Sequence, residues 1–407
     1  MAEKRWDPLE AALRRGYICA MAETAFATLP FKEWGLGLDR PLLIAGPCSA
    51  ESRDQVLATA DGIRRHAPQV QVYRAGAWKP RTRPGGFEGV GAAALPWLRE
   101  VKERTGLLTL TEVATPGHVE EALRHGIDML WIGARTTPNP FSVQAIADAL
   151  RGVDIPVLVK NPVSPDLQLW TGALERIASA GIRRMAAVHR GFNWSNGGNY
   201  RNDPMWGIPI RLKGAFPGLD LICDPSHITG RPDLLAEVAQ QALDLNFSGL
   251  MLECHRDPAH AWSDPGQQVV PEHLGRILSG LTMREPKAEA HQCPELTEMR
   301  NEIREIDAHI MRLLGQRMEV AARIGRFKQA HNMAILQPEW WRKVMEAQLD
   351  AGLARGLSEG FIRACMDTVH DESIRRQGRT WQGLEWPEDG PGMPAQLAEG
   401  EDPLERA

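Results

Sequence analysis

Six cations, Arg74, Lys79, Arg81, Arg135, Lys160 and Arg190, each stand at or just beyond the end of a short apolar run. Brought to one rim they repel one another unless anions lie between them. Arginine forks match phosphate and carboxylate bidentately and lysine adds a compact charge, so the set predicts substrates carrying several negative charges. A second group closes other runs: Cys48 in GPCSAES, His227 in DPSH, Glu253 in GLMLEC and, in the loop beyond, Asp264 in SDPGQQ. One sulfur, one nitrogen and two carboxylates suit one divalent first-row ion, Mn, Fe, Co or Zn, without choosing among them, and such an ion polarises a carbonyl. Singly, each residue has a plainer reading as a core cysteine, a structural histidine, a solvated rim charge or a turn aspartate. Their joint placement on successive run ends is what favours chemistry.

The runs are LLIAG (42–46), QVYRAG (71–76), LLTLTEV (107–113), MLWIGA (129–134), VLVKN (157–161), MAAVHR (185–190), DLICDP (220–225) and GLMLEC (249–254). They are continuous rather than alternating, as in strands buried on both faces of a parallel sheet. Between them lie amphipathic stretches such as QVLATADGIRRHA and SVQAIADALRG, with apolar residues at helical spacing. Eight strand–helix units predict an α/β fold of the (β/α)8 TIM-barrel kind, with its site at the C-terminal strand ends. A doubly wound sheet is the competing architecture, but no G-x-G-x-x-G follows the first run.

At 407 residues the chain exceeds one ordinary core. We read residues 1–39 as an N-terminal extension in which Trp6, Phe26 and Trp34 suggest partial packing, 40–281 as the barrel, and the polar stretch 282–294 as a linker. From 295 to 377 the pattern is all-α: Leu296, Met299, Ile303, Ile306, Ile310 and Leu313 open one long helix, and two more follow from Pro338 and Ser358. The acidic Pro/Gly-rich stretch 378–407 is expected to be disordered. A net charge of -5 gives no global attraction to nucleic acid or an anionic membrane. The charged N-terminus suits neither a signal peptide nor a spanning helix, so the cytoplasm is expected. Cys19, Cys48, Cys223, Cys254, Cys293 and Cys365 show no C-x-x-C pairing, which argues against a disulfide framework.

GPCSAES, RAGAWKPRT, IGAR, VKNP, VHRGF, DPSH and LEC…SDPGQQ together resemble the 3-deoxy-D-arabino-heptulosonate 7-phosphate (DAHP) synthases of the compact type Iβ branch, over about residues 40–281. KPRT separates that family from the related octulosonate 8-phosphate synthases. The resemblance implies that Cys48, His227, Glu253 and Asp264 hold the metal. It implies that Arg135, Lys160 and Arg190 grip the phosphate of phosphoenolpyruvate, and Arg74 with Lys79 its carboxylate. Lys79, Pro80, Arg81 and Thr82 then meet erythrose 4-phosphate, with Arg81 and Thr82 on its phosphate. In the implied reaction the methylene carbon of phosphoenolpyruvate attacks the sugar aldehyde, water adds and phosphate leaves. Lys79, between both substrates, is expected to protonate the new alkoxide, and His189 is the second candidate. The rival reading is a phosphoenolpyruvate-using aldol enzyme for another sugar phosphate.

Residues 295–377 resemble the all-helical chorismate mutases, in which three helices entwine in a dimer and the long first helix reaches into the partner's site. The matching positions are Arg300, Arg317, Lys328, Ser373 and Gln377. Arg317 and Lys328 are eleven residues apart, three helical turns, and so share a face that suits the two carboxylates of chorismate. A charged helix face is otherwise simply solvated. QPEWW departs from the family: Trp340 and Trp341 stand where the mutases carry an arginine and a glutamate, which predicts low activity or a pocket rebuilt around indole rings. Two roles follow, a mutase producing prephenate or a module that senses chorismate or prephenate and regulates the barrel. Either implies a homo-oligomer, at least a dimer.

Overall fold

In the computed structural model the described residues are 26–81, 85–193, 199–284 and 294–382. Thr82, Trp6, Cys19, Cys293, most of the expected linker and residues 383–407 lie outside them. The chain divides into two compact units, Met1–Pro286 and Lys287–Ala407.

In the first unit eight parallel strands close a barrel in chain order. They are β1 (Leu42–Gly46), β2 (Val72–Arg74), β3 (Leu108–Val113), β4 (Met129–Ile132), β5 (Val157–Lys160), β6 (Met185–His189), β7 (Asp220–Cys223) and β8 (Gly249–Glu253). The closing pair β1–β8 runs from Leu42 opposite Gly249 to Gly46 opposite Glu253. Every expected run contains a strand. The helices around it are α1 (Arg53–His66), α2 (Leu95–Thr105), α3 (Pro116–Arg124), α4 (Pro140–Ala149), α5 (Leu167–Ser179), α6 (Gly207–Ala215), the single turn α7 (Pro225–Thr229), α8 (Leu235–Asp244) and α9 (Pro271–Gly280). Side-chain oxygens of Ser52, Thr115, Asn139 and Asp166 accept the free amides at the starts of α1, α3, α4 and α5.

Successive side chains of a strand face opposite ways. Leu42, Ile44, Val72, Leu110, Met129, Trp131, Leu158, Val188, Ile222 and Met251 form the interior cluster. Leu43, Ala45, Tyr73, Leu130, Val157, Val159, Ala187, Cys223 and Leu252 pack outward against the helices. One more step of this alternation turns Arg74, Glu112, Lys160, Asp224 and Glu253 inward, and turns His189 outward.

Phe31, Trp34 and Leu38 join the interior cluster and close the N-terminal end of the barrel. The Phe31 amide donates to Asp220 Oδ2 (2.7 Å) and Arg184 donates to the Trp34 carbonyl (2.7 Å). Phe26 stacks on Phe216 with ring centres 4.8 Å apart. The barrel's floor therefore begins before residue 40, where the sequence pattern alone put the boundary.

The second unit holds α10 (Pro294–Ala330), α11 (Pro338–Leu353) and α12 (Glu359–Trp381). Its small interior includes Ala321, Met345 and Ile362. α12 crosses α10 closely at Gly325, where a Cβ would lie 2.9 Å from Gln377 Cα, and Trp381 Nε1 donates to the Gly325 carbonyl (2.7 Å). That contact carries α12 past Gln377, so the expected tail cannot start at 378. Met299, Ile303, Ile306 and Met311, at 52% to 66% exposure, are left uncovered by the described residues. None of the described helices is long and apolar enough to cross a membrane.

Candidate active site

At the C-terminal mouth of the barrel a cavity is lined by Arg74, Lys79, Pro80, Arg81, Arg135, Lys160, Arg190, His227 and Asp264, and also by Glu112, Trp131, Gly133 and Arg201. Arg74 is fully buried. Its guanidinium donates to the Cys48 carbonyl (3.0 Å), pairs with Glu253 Oε1 (3.2 Å) and lies 4.7 Å from the centre of the Trp131 ring. Lys160 Nζ donates to Asp224 Oδ2 (2.7 Å) and stands 5.6 Å from the same ring. Trp131 is thus a floor whose π-face favours both cations. Lys79 Nζ donates to the Cys48 carbonyl (3.2 Å) and approaches its sulfur (3.1 Å). Arg190 donates to Asn202 Oδ1 (2.7 Å), and burial, partly offset by Asp224, pulls its pKa down to about 10. Arg81 lies 3.5 Å from Asp264 and Arg201 lies 3.0 Å from it.

Two acids set among these cations, Glu112 and Asp224, were given no role from the sequence. A Cβ on Gly133 would fall 2.0 Å from Glu112 Oε1, so the glycine gives the carboxylate its place. Asp224 is fully buried between Lys160 and His227, whose Nδ1 is 2.8 Å away. Burial works against its charge, but His227, Lys160 and Arg74 outweigh this and hold its pKa well below the usual carboxylate range.

The four expected metal ligands fall into two pairs. Cys48 Sγ lies 3.3 Å from Asp264 Oδ2, and His227 Nε2 lies 3.8 Å from Glu253 Oε1. Among the described residues no three such groups stand close enough together to hold an ion as placed. The donor chemistry nonetheless fits one. Glu253 Oε1 accepts no well-aligned hydrogen bond among the described residues and is held by the charge of Arg74 (3.2 Å), while Gln267 Nε2 fixes its other oxygen (2.7 Å). Burial, only partly offset by Asp224, lowers the His227 pKa and so favours the neutral imidazole that ligates metals. The fields of the two pairs overlap: burial and then Glu253 push the Cys48 thiol up to about 12. Deprotonation of that thiol therefore calls for a strong neighbouring positive charge, which a coordinated cation supplies.

His189 does not reach this mouth. It is fully buried on the outer side of β6, with its ring 5.2 Å from that of Trp206 and 5.7 Å from that of Phe192, and among the described residues neither ring nitrogen makes a well-aligned hydrogen bond, the Pro204 backbone being its polar neighbour. Burial pulls its pKa down to about 3, so it stays neutral. The expectation that it is a second proton donor is corrected by strand parity: it is the residue after inward-facing Val188. Thr82, expected on the sugar phosphate, lies outside the described residues.

In the helical unit Arg317 hydrogen-bonds Ser373 Oγ and the Val369 carbonyl. Lys328 donates to the Ile335 carbonyl (2.6 Å), and Lys328, Ser373 and Gln377 are all buried. Arg300 stands apart. It is exposed and precedes Arg317 by seventeen residues, roughly 25 Å along the axis at 1.5 Å per residue. Trp340 is 67% exposed, whereas Trp341 stacks on His370.

These features define a (β/α)8 barrel whose mouth is lined by cations, followed by an all-α unit. The chain belongs to the DAHP synthetase I family, whose family model matches residues 30–286, and residues 299–378 match that of chorismate mutase type II. Phospho-2-dehydro-3-deoxyheptonate aldolase of Thermotoga maritima is 30% identical over 227 residues, 56% of this chain and 64% of that protein. The chain thus spans just under two thirds of that relative. A 2-dehydro-3-deoxyphosphooctonate aldolase of Bradyrhizobium sp. is 28% identical over 269 residues, 61% of this chain and 90% of that protein. The crystal structure of a Thermotoga maritima DAHP synthase covers 58% of this chain and 67% of its own, with a TM-score of 0.53 at 28% identity.

Proposed function

We propose that the barrel joins phosphoenolpyruvate to erythrose 4-phosphate, giving DAHP and inorganic phosphate, the first step toward aromatic compounds, in the cytoplasm. The observation that carries this is the convergence of Arg74, Lys79, Lys160 and Arg190 on one cavity, with Arg74 and Lys160 over the Trp131 ring, beside the Cys48–Asp264 and His227–Glu253 pairs. Cys48, His227, Glu253 and Asp264 would hold one divalent ion, Mn, Fe, Co or Zn, which would supply Lewis-acid polarisation of the sugar aldehyde.

Arg135, Lys160 and Arg190 take the phosphate of phosphoenolpyruvate, and Arg74 with Lys79 its carboxylate. Pro80, Arg81 and Thr82 receive the sugar phosphate. Asp224 fixes the Lys160 ammonium, so the phosphate site is set before substrate arrives. As the methylene carbon of phosphoenolpyruvate bonds to the aldehyde carbon, Lys79 gives a proton to the new alkoxide oxygen. Burial opposes its ammonium, but the negative charge around it, that of Glu112 and Glu253 included, outweighs burial and keeps it charged. Water then adds at C2 of the former phosphoenolpyruvate; one of its protons restores the Lys79 ammonium and the other leaves with the phosphate. As the C2–O bond breaks, Arg135, Lys160 and Arg190 stabilise the charge gathering on the departing phosphate. Phosphate release with erythrose 4-phosphate against arabinose 5-phosphate tests the reading. A clear preference for the four-carbon sugar is expected, and equal or faster turnover of arabinose 5-phosphate replaces it with the octulosonate reaction.

For the helical unit we propose binding of chorismate, with its carboxylates on Arg317 and Lys328, and conversion to prephenate or feedback sensing of prephenate. Trp340 and Trp341 favour the sensing role. Chorismate consumption by the full chain separates them: saturable prephenate binding without turnover leaves sensing alone. Because Arg300 is too far from Arg317 to serve the same site, and α10 leaves its apolar residues uncovered, we assign Arg300 to the site of a second copy in a homodimer.

A further inference from the structure

His370 lies on α12 three residues before Ser373 and seven before Gln377, on the face turned to Arg317. Its ring lies flat on Trp341 of α11, with ring centres 3.8 Å apart and 11° between planes. His370 Nε2 and Gln377 Oε1 are both buried with no hydrogen-bond partner among the described residues. Buried polar atoms in folded proteins nearly always have a partner, so two orphans one helix face apart point to a group that arrives from outside. The fields of Arg317 and Lys328 also reach the imidazole; burial and then Arg317 keep it neutral, with one N–H donor and one acceptor.

We propose that His370 is a ligand-contacting residue of the helical unit, hydrogen-bonding through Nε2 an oxygen of a cyclic hydroxy-dicarboxylate whose carboxylates lie on Arg317 and Lys328. This rests on the reading of that unit as a chorismate or prephenate site. Trp341 fills the position where the mutase pattern puts a glutamate, so the polar contact has moved from α11 to α12, and the indole has become the surface that fixes the new ring. Arg317 bridges the Val369 carbonyl and Ser373 Oγ across the stretch that holds His370.

The test is calorimetric titration of the full chain with prephenate, alongside chorismate kinetics, in wild type, His370→Phe and His370→Gln. Phenylalanine keeps the stack on Trp341 and removes only the ring nitrogens. It is expected to raise the prephenate Kd about tenfold, the worth of one such hydrogen bond, and, wherever turnover is measurable, KM more than kcat. Glutamine, which restores an N–H donor, is expected to come back to within about threefold of wild type. Wild-type affinity in His370→Phe, with wild-type helix content by circular dichroism, overturns the proposal while leaving the site itself standing. If His370→Phe loses helix content, His370→Leu is read the same way. If the wild-type chain neither binds prephenate nor consumes chorismate, the reading of the unit falls and this proposal with it.

Discussion

Asp224→Ala is the perturbation whose size the structure sets most clearly. The carboxylate is fully buried, 2.7 Å from Lys160 Nζ and 2.8 Å from His227 Nδ1, and it also accepts the His227 amide at the start of α7 (3.2 Å). Removing it leaves a buried ammonium without its counter-charge, which costs about 3–5 kcal/mol. For a domain of this size each kcal/mol moves Tm by about 2–4 °C, so the barrel transition in scanning calorimetry is expected to fall by roughly 6–20 °C. The pH dependence has a definite sign. A carboxylate with a depressed folded pKa adds stability that is complete above its unfolded value of about 4 and is lost as pH falls toward the folded value. The Tm gap between wild type and variant is therefore expected to be flat from neutral pH down to about 5 and to close below about 4. With Lys160 no longer held, KM for phosphoenolpyruvate rises about tenfold or more at permissive temperature. A variant whose Tm stays within about 2 °C of wild type refutes the buried ion pair as an organising element of the phosphate site.

Lys79→Ala is expected to lower kcat for phosphate release by about 10²–10⁴-fold, and near-normal turnover removes Lys79 from proton delivery. His189→Phe is expected to keep kcat and KM within about twofold, because a phenyl ring replaces an imidazole that sits among aromatic neighbours on the outer side of β6, away from the mouth. A hundredfold loss in steady-state kinetics would return His189 to the chemistry. Ile306→Glu places a charge on the exposed apolar face of α10; sedimentation equilibrium is expected to show the dimer dissociating to monomers, and an unchanged dimer excludes that face as the interface.

All eight strands are legible because buried parallel strands have no polar face to interrupt the run, and the polar residue ending each run marks the mouth. What a list of run ends lacks is parity. Counting in twos from Ala186 and Val188 puts His189 outside, and counting in twos from Leu110 puts Glu112 inside, although both are simply polar residues near strand ends. Trp131 was hidden because an aromatic within MLWIGA reads as core. It is core, and it is also the surface beneath two cations. Arg201 follows no strand and reaches Asp264 only through the folded loop, a contact that no periodicity encodes. In the helical unit, helical spacing gives the shared face of Arg317 and Lys328, but the stack of Trp341 on His370 joins two helices and leaves no trace in either pattern. Gly133 shows the same limit: its need for a missing Cβ comes from Glu112 on the neighbouring strand.

The proposed metal centre is tested by phosphate release from phosphoenolpyruvate with erythrose 4-phosphate, before and after exhaustive chelation, with metal content determined in parallel for wild type and Cys48→Ala. One divalent ion per chain in wild type, its loss in the variant, and activity that vanishes on chelation and returns with the ion are expected. Full turnover by metal-free protein would contradict the joint placement of Cys48, His227, Glu253 and Asp264 as the centre of the reaction.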